Sequence, residues 1–249
     1  MELRGKKVIV TGGVKGLGRA MVEALVSGGA LVTVFDIDFE GFRTLLEEFP
    51  DVQCIVCNVS KYEDVSVATE KYFSSQGAPN VLINNAGILY SELLVKLGDS
   101  GLKKHDPEMW DRVLQTNLSS VFYMTSCVVE KMVATRTKGV VVNIGSVSAA
   151  GNPGASAYSA SKAGVHSLTQ AWARELGPMG IRVIAVAPGF MDTDSASAAM
   201  SEGALRETIK RVPLRRLGKT EEVAAAVLAV IENDFFNGKV FELDGGLIV

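Results

Sequence analysis

Seven short runs of consecutive apolar, mostly β-branched residues recur along the chain, at positions 7–10, 31–35, 53–57, 81–83, 140–144, 182–186 and 239–243. Their hydrophobicity is continuous rather than alternating, as a strand covered on both faces requires. Between them apolar positions recur at helical spacing. Leu17, Met21, Ala24, Leu25 and Gly28 fall on one face of a helix starting near Gly16. Asp106-Pro107-Glu108 supplies an N-cap, a proline at the first helical position and an acid in the first turn, opening a long helix over 106–134. Strands alternating with helices imply right-handed crossovers and a doubly wound parallel α/β sheet of about seven strands with helices on both faces. No repeat, low-complexity tract or linker interrupts the pattern, so positions 1–249 read as one domain. Two stretches break the rhythm, 89–105 and 190–212, and long excursions beyond the carboxyl ends of parallel strands are where a substrate sits.

Composition narrows the function classes. Lys plus Arg is 25 against 28 for Asp plus Glu, and a net charge of -3 gives no electrostatic reason for nucleic acid or an anionic membrane as partner. No apolar run approaches a membrane span, and the stretch after Met1 is too short for a secretion signal, so a cytoplasmic location is expected. Cys54 and Cys57 form a C-x-x-C, but within a strand such residues point to opposite faces and share neither a metal nor a disulfide. The two histidines, His105 and His166, lie far apart in sequence without matching ligands, so no metal site is expected.

The chemistry starts at the first strand–helix junction. Gly12, Gly16 and Gly18 stand where the backbone must turn tightly and let a pyrophosphate approach the positive end of a helix. About 20 residues on, the second strand ends in Asp36, whose carboxylate can accept from ribose hydroxyls and repel a 2′-phosphate. Lys15 argues the other way. A flexible lysine can stay in solvent, so Asp36 carries more weight and NAD is expected over NADP. Further along, Tyr158 and Lys162 stand at i and i+4 on one helix face. A lysine ammonium and a positive nicotinamide beside the phenol are expected to lower its pKa enough for acid/base work. The strand at 140–144 delivers Ser146 toward the same place.

In this order these motifs resemble the short-chain dehydrogenase/reductase family, of the branch of about this length, and the resemblance runs from Lys6 to Gly246. Thr11-Gly12-x-x-x-Gly16-x-Gly18, Asn84-Asn85-Ala86-Gly87, the set Asn117, Ser146, Tyr158 and Lys162, and Pro188-Gly189-x-x-x-Thr193 carry it. It implies a Rossmann-type fold and a hydride transfer between NAD(H) and a secondary alcohol or ketone. Tyr158 would be the acid/base, Ser146 would hold the substrate oxygen, Lys162 would bind the nicotinamide ribose, and Asn117 would hold a relay water. Implied cofactor contacts are Gly12, Lys15, Gly16, Leu17 and Gly18; Asp36 and Ile37; Asn58 and Val59 at the adenine edge; Asn85, Ala86 and Gly87; Tyr158 and Lys162; and Pro188, Gly189, Met191 and Thr193. A homotetramer built partly from the helices at 106–134 and Ser156–Leu176 is also implied, with a small-molecule substrate.

Some positions depart from the pattern. Ser146 precedes Tyr158 by 12 residues, one fewer than in many members, and Ser148 could share its role. Asn58 stands where an aspartate is common, keeping an acceptor but losing a charge. Ile184 replaces a frequent asparagine, and segment 89–105 is longer than usual. The small and apolar run 195–200 suggests a lid compatible with aliphatic, steroid or aromatic carbonyls. His166, Trp110 and Trp172 read as packing or interface residues. An NADPH-dependent 3-oxoacyl reductase fits the same motifs, and a non-catalytic NAD sensor is the rival of another class.

Overall fold

The computed structural model describes residues 1–98, 101–193 and 202–247; the 195–200 segment lies outside them. Seven parallel strands form one sheet: β1 (Lys7–Thr11), β2 (Leu31–Asp36), β3 (Gln53–Val56), β4 (Val81–Asn84), then, beyond a two-stranded hairpin of β5 (Val95–Gly98) and β6 (Gly101–Lys104), β7 (Gly139–Ile144), β8 (Ile181–Pro188) and β9 (Val240–Leu243). Their spatial order is β3-β2-β1-β4-β7-β8-β9, so the winding reverses between β1 and β4. Crossover helices are α1 (Gly16–Ser27), α2 (Phe39–Glu48), α3 (Tyr62–Gln76), α4 (Pro107–Leu114), α5 (Ser120–Ala134), α6 (Ser156–Leu176), α7 (Glu202–Arg211) and α8 (Thr220–Glu232).

The pleat divides the apolar runs between two cores. Val8, Val10, Val34, Ile83 and Val142 face α1, α2 and α8, where Met21, Leu25, Leu45 and Val227 meet them. Ile9, Phe35, Leu82 and Val141 face α3, α5 and α6, against Tyr72, Met124, Met132 and Ala173. The central strands thus need apolar residues at nearly every position, which is why their sequences show no alternation. Cys57 packs in the second core and Cys54 against the first, on opposite sides of the sheet as the strand geometry requires. Burial pushes both thiols up, so they pack as small apolar groups.

Two features depart from the sequence expectation. Segment 89–105 is not a plain loop: β5 and β6 pair antiparallel, with Leu97 opposite Leu102 and Lys96 opposite Lys103. The helix expected over 106–134 begins as foreseen, the Asp106 carboxylate accepting from the Glu108 N–H at 2.9 Å. It then widens into a π turn at Gln115–Ser119 between α4 and α5. Periodicity near 3.6 does not distinguish such a turn from ordinary helix, and π turns concentrate at functional sites.

Candidate active site

The carboxyl ends of β1, β4, β7 and β8 converge where the winding reverses, the position at which open parallel sheets leave a crevice. At β1 the chain enters α1 through Gly12 and Gly16, both with φ in the left-handed region, +67° and +55°. A Cβ on Gly18 would lie 1.9 Å from the Gly12 carbonyl oxygen, so only glycine lets α1 close onto the strand. Gly16 is different. A Cβ there would meet nothing within 4 Å, leaving the backbone open to an approaching group. The α1 N-terminus has no side-chain cap and no acid in its first turn, so its free N–H groups and positive dipole end suit an anion such as a pyrophosphate.

The Asn84–Gly87 segment is fastened to this turn. The Asn85 side-chain N–H donates to the carbonyls of Thr11 (3.0 Å) and Gly12 (2.8 Å), while the Thr11 hydroxyl accepts from the Asn85 and Ala86 N–H groups, each at 3.0 Å. Beneath, Asn84 donates to Asn143 across β4 and β7 at 2.9 Å, and Asn143 donates to Thr169 of α6 at 2.9 Å. Asn117 sits fully buried in the π turn. Its side-chain oxygen accepts from the Ile88 N–H (2.8 Å) and its N–H donates to the Ile88 carbonyl (2.9 Å). Both ends of the amide are engaged in clamping the segment that follows Gly87, a task the sequence did not reveal.

At the end of β2 the Asp36 carboxylate accepts from the Val14 N–H (3.3 Å) and the Asp38 N–H (3.1 Å), which ties it to the rim of the glycine turn. Ile37 beside it and Lys15 are exposed. Asn58 does not leave its acceptor free for the crevice: its side-chain oxygen accepts from the Ser60 N–H (3.1 Å) and hydroxyl (2.7 Å). Val59 is buried in the core under it. On the far side, the Gly189 N–H donates to the Leu243 carbonyl at 2.9 Å, and a Cβ at Gly189 would press within 2.8 Å of Asp244. Met191 is buried and bridges to Gly218, leading to Thr193. Ile184 is fully buried in the sheet, a packing residue.

The reactive groups meet between β7 and α6. Ser146 follows β7 and accepts the Ser148 N–H on its hydroxyl at 3.1 Å. The Ser148 backbone thus orients the Ser146 hydroxyl. The Ser146 hydroxyl lies beside the Tyr158 phenol and favours its ionised form, yet desolvation outweighs it and the phenol titrates above its ordinary value. The lowering expected from Lys162 is absent because that ammonium lies 5.7 Å from the Tyr158 ring centroid, over its face, and donates to the Ile144 carbonyl at 2.7 Å. Lys162 is itself buried, and burial brings its pKa down to about 8. His166, one turn further, accepts the Ser146 backbone N–H on Nε2 at 3.4 Å. It is a site neighbour that helical spacing from Lys162 could have flagged.

A half-buried phenol next to a hydroxyl, beside a buried ammonium and an open anion-binding turn, can protonate a carbonyl oxygen or deprotonate an alcohol. Among the described residues no cluster of His, Cys, Asp or Glu is placed to hold a metal, and no helix is long and apolar enough to cross a membrane. Comparison with known proteins agrees with this chemistry. The family model for short chain dehydrogenase matches residues 6–203. The 3-oxoacyl-[acyl-carrier-protein] reductase FabG of Thermotoga maritima is 39% identical over 100% of both chains. The reductase of the same name from Vibrio harveyi is 34% identical over 99% of both. The crystal structure of gox2181 superposes with a TM-score of 0.90 at 30% identity, covering 98% of this chain and 97% of the other. With its doubly wound sheet, its glycine turn and its phenol–ammonium pair, the chain belongs to the short-chain dehydrogenase family.

Proposed function

We propose that this chain is a ketoreductase for 3-oxoacyl groups, drawing hydride from a nicotinamide cofactor. The observation that carries the reading is the end-to-end match with 3-oxoacyl-[acyl-carrier-protein] reductases. The Tyr158 phenol can give a proton to the carbonyl oxygen in the reductive direction. This moves the emphasis from the secondary-alcohol oxidation expected from the sequence toward reduction, within one reaction class. Ser146 would hold the carbonyl oxygen beside the phenol. Lys162 would turn toward the cofactor ribose, and Asn117 would hold the segment at Ile88 that walls the crevice.

The open side of Gly16 and the uncapped α1 N-terminus fit a dinucleotide pyrophosphate. When bound, the nicotinamide supplies the hydride; the chain supplies position, the proton and exclusion of water. Gly12, Lys15, Leu17 and Gly18 would line the pyrophosphate, Ala86 and Gly87 the ribose side, and Pro188, Gly189, Met191 and Thr193 the nicotinamide side. Asp36 would meet the adenine-side ribose next to Ile37. Its carboxylate, oriented by Val14 and Asp38, favours NAD(H) over NADP(H). A homotetramer through α5 and α6 fits the half-exposed Phe122 and the shallow apolar cavity of Leu118, Tyr123 and Leu168 beside it.

The test is a panel of 3-oxoacyl thioesters, simple ketones and secondary alcohols, each with NADH or NADPH (oxidised forms for the alcohols), followed by nicotinamide absorbance. 3-Oxoacyl thioesters should give the highest kcat/KM. NADH should exceed NADPH about tenfold, or about 1.4 kcal/mol, with Asp36→Ala narrowing the gap. Alcohols turned over faster than any thioester is reduced would overturn the substrate reading, and a preference for NADPH would show that Lys15 outweighs Asp36.

A further inference from the structure

Tyr158, Lys162 and His166 follow one another at i, i+4 and i+8 on α6, so all three face the end of β7. The imidazole lies directly against the backbone there. A Cβ on Gly145 would come within 2.3 Å of His166 Nε2, so the histidine occupies the space a side chain at 145 would need. From that place Nε2 accepts the backbone N–H of Ser146 at 3.4 Å, a long bond but a directed one. An N–H can donate only to a ring nitrogen without a proton, so the neutral imidazole here must carry its hydrogen on Nδ1. The Ser146 hydroxyl in turn accepts from the Ser148 N–H and lies beside the Tyr158 phenol.

We propose that His166 is a positioning residue for Ser146: its neutral Nδ1–H form anchors the Ser146 backbone so that the hydroxyl stays on the phenol, and protonation of the ring releases that anchor. A protonated ring would point an N–H at the Ser146 N–H, replacing attraction by repulsion. The reading rests on the proposed roles of Ser146 and Tyr158, but not on which carbonyl they serve.

The surroundings set the range in which the ring titrates. Burial, helped by the ammonium of Lys162 as the charged neighbour on α6, holds the His166 pKa below its ordinary value. The end of β7 and the turn at Val147–Ala150 present no charged side chain. The π turn Gln115–Ser119 and the turn Gly177–Met179, which also pack on α6, carry none either. α4 brings Glu108, Asp111 and Arg112. β8 brings Arg182, which is engaged with Asp234 and the carbonyls of Val230 and Ile231. Neutral His166 therefore persists through the physiological range, and release belongs to the acid side.

With only two histidines in the chain, ¹⁵N-histidine NMR of the intact protein reads the ring directly, and a His105→Gln variant assigns the two signals. The neutral Nδ1–H form of His166 is expected at pH 7, with a titration midpoint below 6.5. An Nε2–H form at pH 7 would overturn the proposal without any substrate being needed. The kinetic arm uses whichever substrate the panel selects. In the wild type, kcat should fall on the acid side along the NMR titration of His166. His166→Gln puts a non-titrating acceptor near the Nε2 position and should keep kcat within about threefold while losing that acid limb. His166→Leu removes the acceptor and should lower kcat about tenfold at every pH, with NADH affinity unchanged. An acid limb that survives intact in His166→Gln would also overturn the proposal.

Discussion

Lys162 and Glu92 are both buried ionisable groups, and the balance between desolvation and partners falls on opposite sides in the two. Lys162 lies deep between β7 and α6, where one carbonyl and the face of a ring are its described contacts. Desolvation dominates and brings it down to about 8. Glu92 lies at the root of the β5–β6 hairpin, where Lys96 contacts it at 2.9 Å, the Asp106 N–H donates at 2.8 Å and the Tyr90 hydroxyl at 2.8 Å. Those three partners, Lys96 foremost, outweigh desolvation and hold its carboxyl at about 2. Covering a charge disfavours it in both places; whether enough groups turn toward the charged form decides the net direction. The Glu92 region secures its charge for architecture, since the Glu92 N–H also ties the hairpin root to the Gly154 carbonyl at 2.7 Å. The Lys162 region leaves its charge poorly served, a state a bound ribose can relieve.

The sharpest break in that contrast is Tyr158→Phe. Removing the phenolic oxygen leaves the ring over which Lys162 sits, so thermal stability and NADH affinity should hold while turnover falls about a hundredfold or more. A variant with near-normal kcat would show that the poorly served pair is not the reacting one.

Next comes Lys162→Met. A lysine lowered from 10.5 to about 8 in the folded chain carries a folding cost on the order of 3 kcal/mol wherever the unfolded lysine is charged and the folded one must be. The unfolded chain binds the extra proton between about 8 and 10.5. Wild-type stability should therefore rise with pH through that window relative to Lys162→Met, and be flat relative to it below pH 8. Denaturant titrations of both proteins from pH 7 to 10 measure this, and parallel curves would refute the buried-ammonium account. The same variant should bind NADH more weakly.

The smallest effect belongs to Glu92→Gln. Amide exchange at Asp106 and His105, which close the hairpin root, should quicken roughly three- to tenfold at pH 7, with α6 amides unchanged. A carboxyl depressed from 4.5 to about 2 contributes stability fully present above 4.5 and lost as pH falls through 2. The two proteins should therefore converge only near the acid end.

Much of the frame was legible because doubly covered strands need unbroken apolar runs, and all seven expected strands lie within two residues of those found. The glycine turn, Asp36 and the Tyr158–Lys162 spacing were legible for a similar reason: each is a local constraint. What the sequence concealed depends on contacts between distant segments. The hairpin escaped because Val95-Lys96-Leu97 and Leu102-Lys103-Lys104 are short and mixed in polarity, and their pairing answers to Glu92. The direction of the Tyr158 pKa escaped because residue spacing says who is near but not which way an ammonium turns. His166 read as a packing residue because nothing in its own helix announces that Gly145 makes room for it.

The π turn at Gln115–Ser119 makes the long helix a matter of phase. Its buried positions Val113, Asn117 and Val121 stand four apart, and in a uniform α-helix four residues overshoot a full turn by about 40° each time. The wider turn absorbs that excess, so Asn117 can face Ile88 while α5 still meets the sheet. A single-residue deletion within 115–119 would be a different kind of lesion from any substitution there. Taken at a position other than 117, it would leave every remaining side chain chemically intact and rotate α4 against α5, pulling Asn117 from its clamp. Lineages that lengthen or shorten the chain should keep the count between Val113 and Val121 fixed.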